Sequence, residues 1–332
     1  MAYPILFDVN KINIRIIHRL KETDENKFLD LFEMMFKHKV SSNLIEWYER
    51  LYGKNIWAII EEKDTKRFIG IYGLLPLEFI LKGKEIRGYL CHNVGIIPDY
   101  WGKGLFQYVG EHVLTKVVRG QEIVLGFPNL AAFKGHKRIG WIDIGRMNFY
   151  VKKNCNCYKE IEFVNIFEIG KFQEDINEFL TKNMKRFEFL VRKKHNFLNW
   201  RTTNMDQNYK CFIYKKNNII LGYMIFKVYD DCQHNLKKGH IIDMQFDSSE
   251  VFKILIKKAE TLSKSMNLNL LNLWVFEDSY LVKELISAGF SKEVSAFDYP
   301  VMLYSTDNFA AEQFFKIDKS KIVLSLGDND VY

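Results

Sequence analysis

Hydrophobic positions in the first half of the chain switch between two spacings. Ile12–Ile17 forms a short apolar run that reads as a strand. Thr23-Asp24 then stands as a helix cap ahead of Phe28, Leu29, Leu31, Phe32, Met35 and Phe36, which recur at helical spacing. A second helix is expected over residues 42–51. The run Ile56-Trp57-Ala58-Ile59-Ile60, a charged turn at residues 63–67 and the apolar stretch Phe68–Leu81 predict a hairpin, with Pro76 expected to bulge or bend its second strand. A third strand, residues 86–97, stops at Pro98. A strand at 122–127, a helix and Gly140-Trp141 complete the series.

The same order returns later: a hairpin from 209–214 and 219–228, a strand at 240–246, a helix at 251–265, a strand at 268–276 and a helix ending at Gly289-Phe290. Gly70 and Gly140 correspond to Gly222 and Gly289, an offset of about 150 positions, so the chain reads as one αβ unit used twice. A chain of 332 residues is also long enough for two cores. The expected division is residues 1–165 and 166–332.

Composition narrows the class. With 48% hydrophobic and 27% charged residues and only 5 prolines, the chain is an ordinary folded protein rather than a disordered one. No apolar run reaches the ~20 residues of a membrane helix, and the amino terminus lacks a signal-peptide layout, so a cytoplasmic protein without a membrane span is expected. The cysteines Cys91, Cys155, Cys157, Cys211 and Cys232 are odd in number and scattered, which argues for reduced thiols. Cys155 and Cys157 have no second pair at zinc spacing, so no metal is expected. Lys and Arg exceed Asp and Glu by 48 to 41, without a long basic block; the net +7 suits phosphate-bearing small molecules better than nucleic acid.

The stretch Val94-Gly95-Ile96-Ile97-Pro98-Asp99-Tyr100-Trp101-Gly102-Lys103-Gly104-Leu105-Phe106 carries the clearest chemistry. A strand ends at proline, two glycines follow, and a helix starts. Glycines let a ligand approach the backbone, first-turn N–H groups lack intrahelical partners, and the helix dipole favours an anion there. Glycine is also wanted in a tight βα turn for steric reasons alone.

That segment resembles the acyl-CoA-binding motif of the GNAT superfamily of N-acetyltransferases, a strand, a proline and an Arg/Gln-x-x-Gly-x-Gly/Ala loop. The hexad Trp101-Gly102-Lys103-Gly104-Leu105-Phe106 matches it, with Trp101 in place of Arg or Gln and Phe106 in place of a small residue. Leu125-Gly126-Phe127-Pro128-Asn129, a helix and Gly140-Trp141 resemble the motif's continuation. There the family has Tyr-x-x-x-Gly-Phe, whose tyrosine protonates the leaving thiolate, and His136 occupies that tyrosine's place. An unperturbed histidine, with a pKa of about 6.5, exchanges protons near neutrality. The resemblance implies an α/β (α+β) fold of two tandem GNAT-like domains, each a mixed, mostly antiparallel sheet flanked by helices. It implies acyl-CoA as co-substrate, held by the hexad and Asn129, with the backbones of Val94 and Ile96 pairing the pantetheine arm. His92 and Asn93 sit on the strand lining the acyl group, and strand alternation sends them to opposite faces.

The second half lacks the loop. Asp243-Met244-Gln245-Phe246-Asp247-Ser248-Ser249-Glu250 holds no glycine and three carboxylates that would repel a pyrophosphate, and Leu285 corresponds to His136. Its expected task is to complete the acceptor site, with Trp200, Arg201, His240 and Asp243 as candidates. The layout resembles the sugar N-acyltransferases of bacterial surface-polysaccharide (lipopolysaccharide) biosynthesis, and so does the tail Leu324-Ser325-Leu326-Gly327-Asp328-Asn329-Asp330. That resemblance implies transfer of acetyl or a small hydroxyacyl group, such as 3-hydroxybutanoyl, to the amine of a nucleotide-linked amino-deoxy sugar. A GNAT enzyme of another amine, protein or small molecule, and a non-catalytic acyl-CoA-binding module are the alternatives.

Overall fold

The structure, a computed structural model, describes residues 6–37, 39–51, 55–153, 164–203, 208–231, 235–294 and 299–329. Cys155, Cys157, Cys232 and Asp330 lie outside the described residues. The first half runs β1 (Ile12–Ile17), α1 (Glu22–Phe36), α2 (Ser42–Arg50), β2 (Ile56–Glu62), β3 (Phe68–Leu81) and β4 (Lys84–Ile96). It continues through α3 (Leu105–Val117), β5 (Ile123–Gly126), α4 (Leu130–Arg138) and β6 (Ile142–Lys153). The second half begins β7 (Ile166–Ile169), α5 (Ile176–Met184), β8 (Phe189–Val191) and α6 (His195–Thr202). Next come β9 (Tyr209–Lys216), β10 (Ile219–Asp231), β11 (Leu236–Phe246), α7 (Ser249–Ser265), β12 (Leu270–Phe276) and α8 (Leu281–Ser287). It closes with β13 (Ser291–Lys292), β14 (Tyr299–Ser305), α9 (Phe309–Phe314) and β15 (Ile322–Val323).

The described strands make one mixed 15-stranded sheet, whose main order is β1-β2-β3-β4-β5-β14-β6-β12-β11-β10-β9-β7. Read from either end this is the same order, with β14 and β6 exchanged across the centre. The last long strand of each half inserts beside a strand of the other: β14 pairs β5 antiparallel, and β6 pairs β12 antiparallel. β14 and β6 also pair with each other. Neither half can close its sheet without the other's strand.

Two local expectations are corrected. β3 passes through Pro76 without a break, because β2 pairs it only as far as Leu74 and β8 only from Phe79; the proline sits where that edge has no strand to receive an N–H. The carboxylate of Asp24 does not cap α1. It pairs with Arg15 on β1 at 2.5 Å, and Lys21 holds the cap position with no side-chain hydrogen bond.

One apolar cluster runs from α1, α2 and α3 across the centre of the sheet into the second half, and another fills the space beneath α7. α2 and α6 are clasped: the Trp47 and Trp200 rings stack at 4.3 Å, and each indole N–H donates to the other residue's carbonyl, at 2.8 and 2.7 Å. Among the described residues no helix is long and apolar enough to cross a membrane.

Candidate active site

β4 and β5 run parallel from Gly88/Ile123 to Cys91/Gly126, where their pairing ends. β4 continues to Ile96, so residues 92–96 leave a backbone edge facing away from β3 with no strand beside it among the described residues. Ile97 donates its N–H to the Ile69 carbonyl on β3 at 2.9 Å, and alternation therefore turns the peptide groups of Val94 and Ile96 toward the open edge. The Ile96 carbonyl there accepts the Trp101 indole N–H at 2.7 Å.

β4 also bulges at this point. Between the pairs Gly73/His92 and Ile71/Gly95, β3 advances by Tyr72 while β4 advances by Asn93 and Val94. Asn93 takes φ 46°, a left-handed conformation that asparagine tolerates better than most residues. The bulge overturns the expected alternation: the side chains of His92 and Asn93 meet, with Asn93 Nδ2 3.1 Å from His92 Nδ1. His92 Nε2 lies 3.0 Å from Asn55 Oδ1, and its ring stacks on Tyr48 at 4.3 Å and meets Trp57 edge-on. Enclosed in this cage, His92 has its pKa pushed down to about 3 by burial.

Beyond Pro98 the chain reaches α3 through two glycines with positive φ, Gly102 at 74° and Gly104 at 82°. Gly104 is the helix N-cap and no side chain caps it. The first helical bond runs from Tyr108 N–H to Gly104 C=O at 3.1 Å, which leaves the amides of Leu105, Phe106 and Gln107 ahead of the ladder. A cavity of about 490 Å³ opens there. β4 lines it with Val94 and Ile96, the loop with Trp101, Gly102 and Gly104, and α3 with Leu105 and Phe106. Asn129 lines it at the start of α4, where its side-chain oxygen accepts the Ala132 N–H at 2.9 Å. Lys103 is outside the lining; its ammonium sits over the Tyr100 ring at 5.2 Å.

Sequence reasoning missed the cations of this cavity, Lys134 and Arg138, which line it from α4. Their i, i+4 spacing puts them on one face of the helix, and that spacing was the available signal. Two cations facing an uncapped helix N-terminus make an electropositive recess suited to phosphate groups.

His136 faces the other way. It is 3% exposed, packed on Trp141 at 4.5 Å and Phe106 at 5.2 Å, with Nδ1 3.5 Å from the Tyr72 hydroxyl. Burial pushes its pKa down to about 3, so the near-neutral titration expected from the sequence gives way to a neutral imidazole. Burial also holds the Tyr72 hydroxyl protonated, well above its ordinary range.

The acceptor candidates of the second half are all buried. Trp200 spends its indole N–H in the clasp with Trp47. Asp243 does not stand at a loop mouth: it accepts from Lys193 at 2.8 Å and from the Tyr223 hydroxyl at 2.9 Å, and Asp328 joins Lys193 from the tail at 2.9 Å. Arg201 and His240 lie beneath the clasp side of the sheet, 1% and 3% exposed.

Residues 16–142 match the family described as Acetyltransferase (GNAT) domain. No curated protein matches the sequence. A probable N-acyltransferase of Enterococcus faecalis V583 superposes with a TM-score of 0.65 at 13% identity, covering 91% of this chain and 75% of that one. A GCN5-related N-acetyltransferase of Anabaena variabilis gives 0.64 at 13% identity, covering 88% and 72%. The N-myristoyltransferase of Saccharomyces cerevisiae with bound myristoyl-CoA gives 0.61 at 11%, covering 91% and 85%. At such identities the likeness is one of fold, and it extends over both halves. The family match falls on the half that holds the strand divergence, the glycine loop and the cavity: residues 16–142 are similar to a GNAT acetyltransferase domain.

Proposed function

We propose that the enzyme transfers an acetyl or small hydroxyacyl group to the amine of a nucleotide-linked amino-deoxy sugar. The observation that carries the donor half of this reading is the divergence of β4 from β5 beyond Cys91/Gly126, beside the cavity at the start of α3. Acyl-coenzyme A would supply the thioester there. The loop amides, Lys134 and Arg138 hold its phosphates, and the edge of β4 at Val94 and Ile96 pairs with its amide-bearing arm. Trp101 must release the Ile96 carbonyl for that pairing.

A short acyl group suits the floor of the divergence. A Cβ on Gly126 would stand 3.0 Å from the Trp141 ring, and His136, Tyr72 and Phe106 pack behind it, leaving little depth for a long chain. In this reading the bulge at Asn93 turns a backbone N–H out of the ladder to receive the oxyanion that develops on the thioester carbonyl. His92 positions Asn93, and His136 closes the floor as a neutral ring. The amine gives up one proton and the departing thiol gains one, so the reaction needs positioning more than a stored charge.

The sugar acceptor is supported by the resemblance of the layout and by the excess of cations, which suits a second diphosphate ligand. Thiol release measured with acetyl-CoA and 3-hydroxybutanoyl-CoA against a panel of amino-sugar nucleotides tests it. Release with at least one of them is expected; coenzyme A binding with no release from any of them would contradict the sugar assignment and leave the donor site standing.

A further inference from the structure

The open edge of β4 already carries a hydrogen-bond donor from the chain itself. The indole N–H of Trp101 reaches the Ile96 carbonyl at 2.7 Å, beyond the point where the pairing of β4 with β5 ends. Trp101 also lines the cavity at the start of α3, together with Val94 and Ile96. A tryptophan side chain has one donor and no acceptor, and this one is spent on that carbonyl. An amide of the coenzyme A arm, pairing with the same edge, would bring a second N–H to the same oxygen.

The ring is held differently from the backbone that carries it. Ahead of Trp101 the chain is fixed by Tyr100 N–H to Ile97 C=O at 3.1 Å and by the Tyr100 hydroxyl, which donates to Glu62. The backbone N–H of Trp101 itself donates to the Pro98 carbonyl at 3.0 Å. After it, the Lys103 carbonyl accepts the Leu6 N–H at 3.0 Å. The loop is therefore anchored on both sides, while Trp101 is 66% exposed. An indole so exposed is retained by its hydrogen bond more than by packing. It leaves the carbonyl by rotation about its side-chain torsions, a fast local motion that needs no movement of the loop.

We propose that Trp101 is an internal competitor for the donor, its indole N–H and an amide N–H of the coenzyme A arm taking the Ile96 carbonyl in turn. The inference rests on the donor site described above. In the exchange one N–H···O bond is broken and one is made, so the arm enters without leaving the carbonyl unpaired, and the indole returns to it as coenzyme A departs. Lys134 and Arg138 line the cavity from α4 and take no part in the exchange. A ligand with phosphates and no amide-bearing arm thus leaves Trp101 in place. The residue sets the donor's affinity through the arm alone, weakening coenzyme A and hastening its release, a step that limits turnover in many enzymes.

Titration calorimetry of the full-length protein and of Trp101→Phe tests it, with coenzyme A and, separately, with ADP, which has the diphosphate but no amide arm. Phenylalanine keeps an aromatic ring and removes the N–H. The variant is expected to bind coenzyme A about three- to tenfold more tightly, the range of one net hydrogen bond, and to release it more slowly by about the same factor in stopped-flow displacement. ADP is expected to bind both proteins equally. Trp101→Leu, which also lacks the N–H, gives the same comparison should the first variant not fold. Coenzyme A bound no more tightly by the folded variant, or an ADP affinity that shifts as far as that of coenzyme A, would overturn the proposal and leave the donor site standing. Should neither protein bind coenzyme A, the donor-site reading falls, and this inference with it.

Discussion

The two strand-to-helix junctions at the heart of the molecule occupy equivalent places and have been finished in opposite ways. β4 bulges at Asn93, two glycines with positive φ and a helix whose first amides are uncapped follow it, and a cavity opens. On β11 the residue that corresponds to Asn93 is Asp243, paired in register with Ile225 and locked to Lys193 and Tyr223, and the helix that follows is capped by its own Ser248, whose hydroxyl accepts the Val251 N–H. The first junction leaves its helix amides without a side-chain cap; the second caps its helix within the chain. One fold thus gives an open junction or a closed one, depending on whether a few polar groups are completed internally.

The largest effect is expected where the second junction is locked. Lys193→Met leaves two carboxylates, Asp243 and Asp328, buried without their cation and is expected to cost about 3–5 kcal/mol in chemical denaturation. The polar substitution Asn93→Asp, at the place in the first half that corresponds to Asp243, should cost far less, because Asn93 is only part-buried. Next in size is a change to the wall of the cavity. A Cβ at Gly135 would stand 2.5 Å from the Phe106 ring, so Gly135→Leu pushes that ring toward the donor site and is expected to weaken coenzyme A binding by about tenfold or more, ~1.4 kcal/mol. Glu284 holds the corresponding place on α8, and Glu284→Leu should leave the affinity unchanged by calorimetry.

Acid stability separates the halves in a third way, through His136 and its counterpart Leu285. The folded pKa of His136 lies below its unfolded value, so the unfolded chain binds the extra proton and stability falls as pH drops from about 6.5 toward about 3. His136→Gln is expected to remove one proton from the uptake on unfolding in that window, read from the slope of unfolding free energy against pH; Leu285→Gln cannot change that slope. The smallest effect belongs to the second cap. Ser248→Ala should cost about 1 kcal/mol of stability and leave coenzyme A binding as it was.

Much of the fold was legible in the residues. β1 falls on the predicted run, and the hairpins and the second copy were readable because apolar period and turn residues act locally. The glycine loop was legible for the same reason: a sharp turn into a helix needs residues that accept positive φ, and Gly102 and Gly104 supply them. What could not be read depends on distant partners. Nothing near residue 300 announces that β14 will lie between β5 and β6, since an exchanged strand has the same alternation as any other. The clasp of Trp47 with Trp200 is a long-range pairing for the same reason. His136 was placed on the correct helix, but which face it takes is decided by Tyr72, Phe106 and Trp141, and the cavity face went to Lys134 and Arg138. Strand alternation misjudged His92 and Asn93 because a bulge leaves no mark in the hydrophobic pattern.

The central claim is that one junction of the two is a donor site, and titration calorimetry of coenzyme A into the full-length protein tests it most directly, with wild type beside Gly104→Val. Valine is poorly accommodated at the φ of 82° that the start of α3 requires. The expected result is one coenzyme A per chain for wild type and binding lost or weakened at least about tenfold in the variant, with its melting transition still cooperative. Two coenzyme A molecules per chain, or one bound as tightly in Gly104→Val as in wild type, would contradict it.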